Sequence, residues 1–324
     1  MNTSAKPRFD LLNFVSKQRA LALLLLVVVF CIIFSLALPS TFGTVDNFAL
    51  ILLNMSSEAM ILVAITLVLI CAEIDLSLGS IMVFGGILCG RLIIQSGWPT
   101  GWAILLPLVI SLLLGFVNGV IVSRLGVASF IATLATGMIY LGISVILSGT
   151  GWTDFPDPVF KAMGQEHFLG LQLPVYYMII VIAIFAYLVG RTRYFRQLYY
   201  IGDNQKAAEL SGINIPRVKI TTFMLSALLA CLSGIITAMR FNSSMPNVGT
   251  GVELRAVTAA VIGGVSFTGG TGTVIGAAMG ALFIAVLNNA LTAAQVSPDM
   301  QYVVTGIVLI LAIVLDIVIA KREK

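Results

Sequence analysis

Residues 49–70 read ALILLNMSSEAMILVAITLVLI, a run in which one position, Glu58, is ionisable. About 20 apolar residues carry an α-helix across the hydrocarbon of a bilayer. Backbone amides find no water partner there, so such a run is helical unless it lines protein or a cavity. Residues 49–70 therefore predict a membrane span, and the rest of the chain repeats the pattern. Comparable runs fall at 20–38, 80–95, 102–123, 128–148, 174–190, 218–240, 254–268, 273–293 and 300–319, the eighth being short and Gly-rich. The predicted fold class is all-α, a polytopic integral membrane protein of about 10 transmembrane helices. Of 324 residues, 59% are hydrophobic and 10% charged, against about 25% charged in an ordinary soluble domain. No stretch is left for a sizeable soluble domain.

Lysine and arginine positions orient the bundle. With ten spans and the N-terminus inside, Lys6, Arg8, Lys17, Arg19, Arg124, Arg191, Arg193, Arg196, Lys206, Arg217, Lys219, Lys321, Arg322 and Lys324 lie on the inner side. Only Arg91, Lys161, Arg240 and Arg255, of 18 in all, fall at or near the outer side, the asymmetry expected of a positive-inside protein. The reading is a cytoplasmic segment 1–19, a single transmembrane domain 20–320 and a cytoplasmic tail 321–324, both termini inside. The run 20–38 is long enough to span and lacks a small-residue cleavage pattern, unlike a signal peptide.

Two polar segments interrupt the spans. Residues 149–174 are expected outside, with turn signals at Asp154-Phe155-Pro156-Asp157-Pro158. Residues 190–219 are expected inside; Gln205–Leu210 reads as a short helix, capped by Asp203 or Asn204 and stopped by Gly212. Such a loop suits a cytoplasmic docking partner.

Polar groups at membrane depth are costly and are functional candidates by default. Glu58 lies about 15 Å into its span at 1.5 Å per residue, preceded by Asn54, Ser56 and Ser57. Lining a polar path and bonding between helices are equally open for it. Asn118, Asn288 and Asn289 offer amide donors and acceptors, which suit hydroxyl-rich solutes and helix packing alike. Glu73-Ile74-Asp75-Leu76-Ser77-Leu78-Gly79-Ser80 reads as a tight inner-side turn in which Asp75 and Ser77 cap the next helix, direct solute or ion contact being the other reading. The glycines of 263–272 permit close contact and bends; no Gly-Lys-Ser/Thr follows, so a phosphate loop is excluded. Cys31, Cys71, Cys89 and Cys231 lack metal spacing, and His167 is the sole histidine. No metal site and no nucleic-acid partner are expected, and no acid–base set or nucleophile motif points to an enzyme.

Taken together, these motifs resemble the permease subunits of ribose-type ABC importers, a family that includes xylose, galactofuranose and autoinducer-2 systems. The similarity covers residues 20–316, carried by the 73–80 motif, Asn118-Gly119, Leu125-Gly126-Val127, Ser129–Leu134, Gly202–Ile213, Pro246–Gly251 and Leu287-Asn288-Asn289. The resemblance implies a type II importer-like permease in the bacterial inner membrane, with no cofactor of its own. ATP and Mg would bind a partner ABC ATPase; a second permease, identical or paralogous, and a periplasmic binding protein would complete the assembly. The cargo implied is a small polar solute, a monosaccharide first. An amino-acid importer permease is the nearest rival, and an ion-coupled secondary transporter the other alternative. Gly202, Asp203, Asn204, Lys206, Ala207, Ala208, Glu209, Ser211 and Gly212 are then the ATPase-coupling segment. Asn54, Ser57, Glu58, Asn118 and Asn288 are candidates for the translocation path. Arg240, Glu253 and Arg255, with 160–173 and the outer segment 241–253, are candidates to contact the binding protein. Ala128 departs from the family's usual proline, Ala72-Glu73 from its small-residue pair, and Glu58 from a neutral polar residue.

Overall fold

A computed structural model describes residues 19–148, 151–297, 299–301, 303–308, 310–311 and 314. Nearly all of segment 1–19, the end of the tenth expected span and the tail 321–324 lie outside the described residues. Long helices are α1 (Arg19–Ala37), α2 (Val45–Ile70), α3 (Leu78–Ile94), α4 (Thr100–Ser123), α5 (Ser129–Ser148), α7 (Leu173–Arg191), α10 (Ile215–Phe241) and α12 (Val274–Ala293). Short ones are α6 (Pro158–Gln165), α8 (Arg193–Asp203), α9 (Gln205–Leu210) and α11 (Val252–Ile262). Described residues from 299 onward are helical as well. Two small antiparallel pairs complete the chain, β1 (Trp152–Thr153) with β4 (Ser243–Ser244), and β2 (His167–Phe168) with β3 (Leu171–Gln172).

Seven of these helices are long and apolar enough to span, and α3 is a shorter apolar helix. Eight of the ten expected spans thus have a long helix within a few residues of the bounds read from hydropathy. The eighth run is different. α11 has 11 residues, about 16 Å of rise, half of a bilayer's hydrocarbon. The glycines that follow, several with positive φ, end the helix at Ile262. A count of ten complete spans is therefore not established.

α10 is the central post, packed against α2, α3 and α4. Small residues let backbones approach without a lipid-driven force between helices. A methyl group on Gly234 of α10 would collide with the Met82 carbonyl of α3. The same holds for Gly119 of α4 against Ile220 of α10.

Two connections re-enter the bundle. After α2 ends at Ile70 the chain turns back through residues 73–77, which have no regular structure. It climbs along α5, where the Ile74 amide donates to Ser129 Oγ (3.1 Å) and the Leu76 amide to Thr133 Oγ1 (2.9 Å). Asp75 is fully buried; its Oδ1 accepts from the Ser77 amide and hydroxyl, and its Oδ2 accepts from Ser226 Oγ of α10 (3.3 Å). The tight turn expected at 73–80 is thus a re-entrant stretch, and Ser77 makes no side-chain cap on α3. On the other side, 242–251 runs back from the end of α10 so that Gly249 lies against Gly79. α3 and α11 consequently both begin inside the bundle, beside each other.

The segment 149–174 carries α6, whose start Asp157 caps through the Val159 and Phe160 amides. The hydroxyl of Thr100, donating to Asp157, holds this carboxyl below its ordinary range, helped by the two amides and opposed by partial burial. A depressed folded value means the stabilisation is present above the unfolded carboxyl's value, near 3.9, and is lost as pH falls through the folded one. Protection of the Val159 and Phe160 amides, their exchange taken relative to the free-chain rate at each pH, is therefore expected to fall on acidification. In Asp157→Ala that protection should be low and nearly free of the acid-dependent loss; unchanged protection at neutral pH would refute the cap.

Candidate functional site

The middle of α2 faces α11 and α12 across a cavity of about 140 Å³. Asn54, Glu58 and Leu62 line it from α2, Arg255 and Ala259 from α11, and Asn288 from α12. Spacings of four residues put Asn54, Glu58 and Leu62 on one helix face. Alanines on α11 and α12 leave the space open. Across it, Arg255 donates from Nη2 (2.7 Å) and Nε (3.1 Å) to Glu58 Oε1. Arg255 also donates from Nη1 to the Thr250 carbonyl (3.2 Å). Two opposite charges thus meet at a depth of about 18 Å from the Ile70 end of α2, where an unpaired ion is costly. The cavity joins a carboxylate, a guanidinium and two side-chain amides with apolar walls, the mixture typical of small-molecule sites.

Of the path candidates, Asn54, Glu58 and Asn288 come together here. Ser57, the neighbour of Glu58 in the chain, does not line the cavity; its Oγ accepts from Arg240 Nη1 (2.9 Å), while Arg240 Nη2 also donates to Asn54 Oδ1. Asn118 is elsewhere: fully buried, it donates to Ser77 Oγ (2.8 Å) and accepts from the Tyr140 hydroxyl (3.0 Å). Arg240 and Arg255 both reach α2, and Glu253 packs against Gly79. The pairing of Arg255 with Glu58 escaped the sequence reading. Its signal was present: opposite ionisable residues inside two apolar runs seek one another.

A second assembly lies at the Ile70 end. Thr192 caps α8 and Asn204 caps α9 through the Ala207 amide; Ser211 ends α9, and Gly212 takes a positive φ of 81°. The capping by Asn204 and the stop at Gly212 agree with the sequence. Gln197, Tyr200, Asn204, Ala207, Ser211 and Ile213 line an open groove on this segment. Its inner face is anchored firmly. Lys219 of α10 donates to Gln205 Oε1 (3.0 Å) and forms a buried ion pair with Glu73. The Gly270 amide donates to the Ile70 carbonyl (3.0 Å), and the Tyr199 hydroxyl to the Gly272 carbonyl (2.8 Å). Gly202 sits so close to Ile70 and Gly270 that a side chain there would overlap both. The glycine loop 263–273 therefore joins the α8–α9 segment to α11, which bears Arg255. Among the described residues no group of three His, Cys, Asp or Glu side chains is placed to hold a metal ion.

Residues 47–313 match the family described as branched-chain amino acid transport system / permease component. The chain is 36% identical to the ribose import permease protein of Haemophilus influenzae, over 95% of both chains. It is 30% identical to the fructose import permease protein of Rhizobium meliloti, over 94% of this chain and 87% of that one. Identity is also 30% to the autoinducer 2 import system permease protein of Salmonella typhimurium, over 94% and 88%. No solved structure matches the chain.

Proposed function

Because this chain belongs to the branched-chain amino acid transport system / permease component family, we propose that it is the membrane-spanning permease of an ABC importer for a monosaccharide or similar sugar-like solute. It is a transporter subunit and not an enzyme. The single observation that carries the sugar reading is end-to-end similarity to permeases named for ribose, fructose and autoinducer 2. The family's description mentions amino acids, but those full-length relatives favour a sugar.

In this reading the chain sits in a bacterial inner membrane with both termini and the 190–219 segment in the cytoplasm, the arrangement favoured by the basic residues. The α8–α9 segment, Gly202 to Gly212, docks in a cleft of a separate ATPase, where ATP and Mg are bound. A second permease, identical or paralogous, completes the channel, and a periplasmic binding protein delivers the solute to the opposite face. The Glu58–Arg255 cavity is the polar station on the path: the carboxylate accepts from solute hydroxyls, while Arg255 and the amides of Asn54 and Asn288 donate. Alternating access requires two conformations within a few kcal/mol, which nucleotide and loaded binding protein bias.

The test is reconstitution in liposomes with labelled D-ribose and D-fructose. Uptake is expected only with the ATPase subunit, ATP and loaded binding protein together. Uptake at full rate with the ATPase omitted would end the reading.

A further inference from the structure

Among the described residues Lys219 is the only buried lysine or arginine. Its ammonium serves two elements at once. Glu73, which opens the re-entrant stretch, is its ion partner, and Gln205 of α9 accepts from Nζ (3.0 Å). Lys219 and Glu73 keep 9% and 12% of their side-chain surface exposed, so this is not a loosely held surface pair. Leaving either charge alone in the bundle is costly. The Gln205 amide reaches Lys219 and does not line the open groove of the docking segment. Among the described residues, no other side-chain hydrogen bond joins α9 to a membrane-spanning helix.

The re-entrant stretch is held by α10 a second time. Ser226, two turns beyond Lys219 and so on the same helix face, donates to Asp75. Residues 73–77 lead directly into α3, whose Gly79 packs against Gly249 and Glu253 at the start of α11. The Gly79 and Gly249 backbones touch with no side chain between them, and close-packed contacts transmit displacement. Arg255, on the same first turn of α11 as Glu253, closes on Glu58 in the cavity. We propose that Lys219 is a positioning residue of the transport cycle, tying the docking segment to the re-entrant stretch so that a displacement of α9 reaches the start of α11 and its Arg255. This route is separate from the Gly202–Gly270 contact, which enters α11 from its other end. The proposal rests on the transport reading above and deepens its coupling step.

The test is the number of sugar molecules taken up per ATP hydrolysed, in proteoliposomes holding the full chain, its companion subunits and loaded binding protein. The sugar is D-ribose or D-fructose, whichever the parent complex takes up. Gln205→Leu removes the acceptor and leaves the buried ion pair in place. The ratio is expected to fall about fivefold, the lower end of common coupling factors, with as much ATPase copurifying as with the parent. Gln205→Glu keeps an oxygen acceptor for the ammonium and should hold the ratio near the parent value. Lys219→Met with Glu73→Met replaces the pair by apolar side chains of similar volume, a change that often leaves stability intact. It should lower the ratio as Gln205→Leu does, and combining all three substitutions should lower it no further, because one link is cut once. An unchanged ratio in Gln205→Leu, an equal fall in Gln205→Glu, or losses that multiply on combination would each overturn the role of Lys219. Less ATPase copurifying with Gln205→Leu would overturn it too, by making Gln205 a docking contact. The two Gln205 variants decide the question by themselves where the double methionine chain does not assemble. Absence of ATP-driven uptake by the parent complex would count against the transport reading instead.

Discussion

Gly202→Val is expected to abolish ATP-driven uptake while the chain still inserts and assembles. A β-carbon at this position would overlap the Ile70 carbonyl and the Gly270 amide, two groups that bond to each other. The valine must push the α8–α9 segment away from both the end of α2 and the glycine loop. Overpacking of this kind costs ~1–3 kcal/mol, and a bias of ~2 kcal/mol shifts a two-state equilibrium roughly 30-fold. That is enough to hold a transporter in one conformation. Gly142→Val, on α5 and outside the docking segment, is the control: nothing lies within 4 Å of a β-carbon there, so the substitution forces no displacement. Uptake and ATP hydrolysis in proteoliposomes would be compared for the two variants. Normal uptake in Gly202→Val, or equal losses in both, would remove the Gly202–Gly270 contact from the coupling route.

Glu58→Leu should lower uptake about tenfold at an unchanged amount of protein in the membrane. The substitution leaves Arg255 without its carboxylate deep in the bundle. Removing one partner of a buried pair costs ~3–5 kcal/mol, and an exposed pair is worth under ~1 kcal/mol. Glu58 and Arg255 keep 41% and 26% of their side-chain surface open, so a value between these limits is expected. Exchanging the charges, Glu58→Arg with Arg255→Glu, restores part of the rate if the pair acts as a unit. Uptake by Glu58→Leu at the parent rate would take this carboxylate off the path.

Hydropathy made most of the long helices legible, because each long span answers to one local requirement, backbone satisfaction in lipid. α2 and α12 follow the runs 49–70 and 273–293 closely. Capping by Asn204 and the stop at Gly212 were legible because they involve neighbours in sequence. Depth was not. Asp75 looked like an inner-side turn because its partner Ser226 is 151 positions away. Glu58 stood out as an acid among apolar residues, but its partner is 197 positions on. Nothing local distinguishes the 254–268 run as half a span except its glycines, which also fit ordinary close packing. Likewise the glycines of 263–273 showed only that the chain bends, and not that the bend presses against Asp203 and Ile70.

The shortness of α11 has a consequence for biosynthesis. Eleven residues, about 16 Å long, do not partition into a bilayer as an independent span. As the ribosome delivers residues 242–273, this stretch has no lateral exit into lipid on its own account. It settles only once α12 is seated against it, with α2 and α3 already in place to receive it. Arg255 therefore meets Glu58 only late in the chain's maturation, long after the carboxylate has been made.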